Sequence, residues 1–192
     1  MVFVASGVSA LLYQLIWQRS LLVLYGSNTE SVAMVVTAFL VGLGLGSLAG
    51  GAVSKLPGAP LVLLFSGAEL LVGLYGLASL RLFHWANDFT LTVGALGTGM
   101  VAFGLVLVPT LLMGATLPVL VAYRVQARGH VGLAVSWLYF VNTLGAGLGA
   151  MAGALVFFSA LGLTGTVRLA ASINVASAFA ILALSLWRSR RP

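Results

Sequence analysis

Residues 32–53, VAMVVTAFLVGLGLGSLAGGAV, contain no charged side chain and space Gly42, Gly46 and Gly50 four positions apart. A helix rises about 1.5 Å per residue, so a segment of this length matches the roughly 30 Å hydrocarbon core of a bilayer. Glycines four apart share one helix face and leave a groove into which a second backbone can press. The stretch therefore reads as a membrane-crossing helix made for close packing, with a sliding contact as the functional alternative. Shifted by 103 positions it meets its own likeness: Gly42, Gly44, Gly46 and Gly50 fall on Gly145, Gly147, Gly149 and Gly153, and Leu45 on Leu148. Three spans separate the copies, so the second runs the opposite way, as in an inverted three-plus-three repeat.

Outward from these two helices the chain divides into six apolar stretches, over residues 3–24, 32–53, 60–80, 91–123, 133–158 and 166–187, in a single transmembrane domain over 1–192. Of 192 residues 61% are hydrophobic and 6% charged, against about 25% charged in an average soluble domain, which excludes a water-exposed globule. After six spans little length is left for an aqueous domain. The first span lacks a basic leader and a small-residue cleavage site, so it is expected to remain rather than act as a cleaved signal. The fourth contains Pro109, Gly114 and Pro118 in PTLLMGATLP, and is expected to be kinked or broken, with freed carbonyls that serve either packing or a binding site. The connection RLFHWANDF, Arg81 to Phe89, is expected to lie in the membrane interface.

Nine Lys and Arg against three Asp and Glu give a net charge of +6. The basic residues are distributed as topology signals rather than as a nucleic-acid surface. Lys55, Arg124, Arg128, Arg188, Arg190 and Arg191 fall in the second and fourth connections and the C-terminal tail, whereas Arg81, Glu30 and Asp88 occupy the odd-numbered ones. Both termini are therefore expected in the cytoplasm, with Arg188, Arg190 and Arg191 anchoring to anionic lipid. Cysteine is absent, which excludes disulfides, thiolate zinc and iron–sulfur clusters. His84 and His130 belong to opposite membrane faces, so a haem held by both is not expected. No cofactor or metal is expected, and no catalytic set can be assembled.

A few polar residues interrupt the spans. Gln14 and Gln18 form a stripe in YQLIWQR, ending at Arg19, which either bridges helices or lines a polar path. Asn142 and Thr143 precede the second glycine row. Glu69 stands at mid-depth of the third span, where an ionised carboxylate needs a partner. Arg19, Arg168, Gln14, Asn142 and Asn174 are the candidates, and the residue is either a structural bridge or a proton or cation site.

In order, YQLIWQR, GLGLGSLAGG, GAELLVGLYGL, PTLLMGATLP and LYFVNTLGAGLGA resemble the membrane portion of the spermidine synthase-like membrane proteins, the fused major-facilitator/spermidine synthase family. The likeness covers nearly the whole chain. It implies half of a major-facilitator fold, all-α, with Tyr13, Gln14, Trp17, Arg19, Glu69, Met113, Gly114, Thr116, Pro118, Asn142 and Thr143 at the family's recurrent positions. Relatives carry a cytoplasmic aminopropyltransferase-like domain; this chain closes on RSRRP without the strand and Gly-rich turn that would begin one. The basic and acidic loop usual after the second facilitator span is reduced to Gly50, Gly51 and Lys55.

These readings converge on a helical membrane subunit or anchor, in a bacterial inner membrane, that assembles with other membrane chains or with itself. Two alternatives are a homodimeric transporter for a polar or cationic solute such as a polyamine, and a membrane module for a separate soluble aminopropyltransferase-like partner.

Overall fold

The computed structural model describes residues 2–25, 29–90 and 94–189, and these are almost entirely helical. In hydrocarbon a helix satisfies its own backbone polar groups, which is why so apolar a sequence takes this form. The elements are α1 (Val2–Tyr25), α2 (Thr29–Ser54), α3 (Leu61–Thr90), α4 (Ala95–Arg128), α5 (Val131–Ala152), a π-helical turn (Gly153–Phe157) and α6 (Phe158–Ser189).

Four stretches among the described residues are long and apolar enough to cross a membrane: Val32–Ser54, Leu61–Asp88, Gly97–Gln126 and Val131–Trp187. The last holds both α5 and α6, and Gly162 inside it adopts φ 65° and ψ −175°, a conformation closed to side-chain-bearing residues, where the chain turns. Thr166 fastens that turn by donating its hydroxyl to the Gly162 carbonyl at 2.6 Å and the Phe157 carbonyl at 3.2 Å. α1, whose apolar run is interrupted by Gln14, Gln18 and Arg19, is not among these four. It is instead the most enclosed helix, with Leu12, Tyr13, Ile16 and Trp17 fully buried.

Two glycine seams hold the bundle together. On α2, a Cβ added at Gly42, Gly46 or Gly50 would strike Leu107 and Thr110, Leu111, or Ala115 of α4. On α5 and the turn after it, a Cβ at Gly145, Gly149 or Gly153 would strike Val4, Val8 or Leu12 of α1. Both pairs run parallel, since the contact numbers rise together. Leu107, Leu111 and Ala115 lie 103 positions after Val4, Val8 and Leu12, the same interval that separates the two glycine rows. α6 runs against α1, for Arg19 lies over Phe158 while Ser6 lies, through Glu69, beside Asn174. The start of α1 and the end of α6 consequently share one end of the bundle.

Two expectations are corrected. Of the kinked and broken forms expected for the fourth stretch, the broken one is overturned: α4 is one continuous 34-residue helix that contains Pro109 and Pro118. Pro109 has no N–H for the Leu105 carbonyl four residues back, but the Tyr75 hydroxyl of α3 donates to that carbonyl at 2.5 Å. A neighbouring helix thus replaces the missing donor, and no gap opens in α4. Residues 81–89 are not a separate interfacial segment, because α3 continues through them to Thr90. The fifth span is helical throughout, with a π-helical turn at Gly153–Phe157 inside it, and the chain turns beyond it at Gly162. Arg190 and Arg191 of the expected lipid anchor, together with the side chains of Glu30, Arg128 and Arg188, lie outside the described residues.

The Tyr75 contact is testable. Tyr75→Phe should destabilise the fold by about 1 to 3 kcal/mol, the cost of a stranded buried carbonyl. Pro109→Ala restores the intrahelical donor and should recover most of that loss, so thermal melts of the two single variants and the double variant will be strongly non-additive.

Candidate functional site

The polar residues of α1, α3 and α6 share faces by helical spacing: Ser6, Ser9 and Tyr13; Ser66 and Glu69; Asn174 and Ser177. All are buried, and Ser6, Glu69 and Asn174 meet between the three helices. Glu69 is 1% exposed and has a hydrogen bond on each oxygen. The Ser6 hydroxyl donates to Oε1 at 2.5 Å and the Asn174 Nδ2 amide to Oε2 at 2.9 Å. Ser9 donates to the Ser6 carbonyl at 3.0 Å. One carboxylate thereby fastens three helices that are distant in sequence.

Small residues let the helices come this close. Gly73, one turn beyond Glu69, faces Ala171, Asn174 and Val175 of α6, and a Cβ on Gly76 would enter the Tyr13 ring. Tyr13 stacks on Trp17 with centroids 5.0 Å apart and planes at 21°. Trp17 continues the column, donating its indole N–H to Ser79 Oγ at 3.0 Å and meeting Tyr75 and Phe83 edge-on. Among the described residues, four buried side-chain polar atoms have no partner: Tyr13 Oη, Ser20 Oγ, Ser66 Oγ and Asn174 Oδ1.

Of the partners expected for Glu69, Asn174 is the one in contact, and Ser6 is the partner that spacing alone did not disclose. Ser6 was legible only as one small polar residue among several in α1. Arg19 is exposed and lies over the Phe158 ring, 5.5 Å from its centroid, and Arg168 is exposed on α6. The residues of the supposed polar path are not gathered. Gln14 and Gln18 are half-buried on α1, while Asn142 reaches α1 at Gly7, two turns earlier, and Thr143 is exposed on α5. His84 and His130 are exposed at opposite ends of parallel helices. A cavity of about 330 Å³ between α2, α3 and α4 is walled by Gly67 and Ala68 but not by Glu69, and its lining is apolar apart from Thr116. Among the described residues no group of three His, Cys, Asp or Glu could hold a metal.

Comparison with family models, curated proteins and solved structures returns no match.

Proposed function

We propose that this chain is a six-span integral membrane subunit or anchor, built as an inverted three-plus-three repeat resembling half of a major-facilitator fold, that assembles with further copies or other membrane chains. The equal interval of 103 in both glycine seams supports the repeat. In the sequence, Lys55, Arg124, Arg128, Arg188, Arg190 and Arg191 follow the even-numbered spans and outnumber Arg19, Arg81 and Arg168 toward the other face, which supports a cytoplasmic side at the end shared by the start of α1 and the end of α6, in a bacterial inner membrane. The aminopropyltransferase-like partner implied by the resemblance would dock at that end.

One observation carries the subunit reading over transport. The inner glycines are consumed in the two seams, yet Gly44 on α2 and Gly147 on α5 face outward, with nothing within 4 Å of the point where a Cβ would stand, at the same interval of 103. Bare backbone on an outer face is what a neighbouring membrane helix packs against. A transport path would instead bring water to Glu69, which is enclosed.

The test is native mass spectrometry of nanodisc-purified protein. Stoichiometric partners or a defined oligomer should be recovered with the native chain and lost with Gly44→Leu combined with Gly147→Leu. As outer-face changes, these should alter stability by no more than about 0.5 kcal/mol each. A strictly monomeric native chain refutes the proposal.

A further inference from the structure

We infer that the junction of α1, α3 and α6 is a binding site for a dehydrated monovalent cation, of which sodium is the representative, held by the Glu69 carboxylate and Asn174 Oδ1. This goes beyond the subunit reading and concerns a buried site rather than an outer face.

Both hydrogen bonds on Glu69 come from neutral groups, Ser6 and Asn174, so its charge is solvated but not balanced. The arginines expected to pair with it do not compensate it: Arg19 is engaged with Phe158 and Arg168 is exposed. A buried charge of this kind is costly unless a counter-charge reaches it. A second observation points the same way. Asn174 is 3% exposed and gives its Nδ2 hydrogen to Glu69, yet its Oδ1 accepts nothing. Oδ1 is acceptor-only, so a donor or a cation must answer it. Ser66, 3% exposed and one turn before Glu69 on the same face of α3, carries an unpartnered hydroxyl oxygen.

The donors are all oxygen, which selects a hard cation. A single carboxylate balances a single charge, whereas calcium draws on several carboxylate and carbonyl oxygens and magnesium keeps much of its water. A proton on Glu69 would answer the charge alone; to answer Asn174 as well it requires the amide turned over. A sodium ion shared by Oε2 and Oδ1 answers both with the Asn174 amide still donating to Glu69, and adds a further tie across the three helices.

The experiment uses the full chain in nanodiscs at fixed ionic strength, with sodium chloride exchanged for choline chloride. Sodium should raise Tm by several degrees with saturation, because a ligand that binds only the folded state stabilises it by mass action. Radioactive sodium should be retained at about one ion per chain. Glu69→Gln and Asn174→Ala should each abolish retention, while Ser136→Ala, at an exposed serine of α5 that bonds its own helix, should leave it unchanged. Should Asn174→Ala fail to fold, Ser66→Ala supplies the second variant and should weaken half-saturation several-fold. Equal Tm in sodium and choline with no retained ion overturns the inference and leaves a proton or a water in this place. Complex mass, read on the same samples, reports the assembly proposal separately.

Discussion

Gly46→Leu and Gly149→Leu should each unfold most of the protein or prevent its accumulation, a loss of about 3 kcal/mol or more in a denaturation assay. The space for a side chain at Gly46 is held by the Leu111 carbonyl, and at Gly149 by the Val8 backbone. A flexible neighbour could move aside, but backbone cannot, so the helices must separate. Overpacking a tight interface costs about 1 to 3 kcal/mol at one site, and here it lifts a whole seam, because the contacts at Gly42 and Gly50 depend on the same spacing. Gly44→Leu and Gly147→Leu, two residues away on the outer faces, are the matched controls and should melt close to the native chain. If Gly46→Leu melts like Gly44→Leu, the seams do not hold the bundle.

Much of this contrast was already present in the chain. Glycine at every fourth position marks a packing face at sequence level, and both rows find a neighbouring helix pressed against them. What no sequence spacing discloses is the partner: that α2 packs on α4 and α5 on α1 depends on the tertiary arrangement. Pro109 illustrates the limit most clearly. A proline within a span signals a freed carbonyl, and Leu105 does lose its intrahelical donor. The conclusion that the helix breaks there fails, because Tyr75, 30 residues before Leu105, supplies a replacement. Glu69 was legible as a residue that needs partners, and Asn174 as one of several able to serve. Ser6 was not, since a serine in a membrane helix usually bonds its own preceding turn and gives no outward sign of a distant acceptor.

The second large effect follows from the same junction. Asn174→Leu should destabilise the protein by about 3 kcal/mol, more than the roughly 0.6 kcal/mol average of a hydrogen bond between membrane helices. That average reflects neutral pairs whose members find other partners when the helices part. Glu69 differs because its carboxylate stays enclosed while losing one of two donors, and a buried charged group left short of a donor costs more than a neutral one. Glu69→Leu alone should cost less: it removes the charge that needed burial, Ser6 can turn its hydroxyl back to its own helix, and only the Asn174 amide is stranded. The double variant, Glu69→Leu with Asn174→Leu, should melt near the native chain, since an apolar pair replaces the hydrogen-bonded one in an apolar setting. Steric-trap or denaturant unfolding of all four proteins closes the cycle. A double variant as weak as Asn174→Leu alone would mean that Asn174 supports the fold through packing, and that the carboxylate is not what it serves.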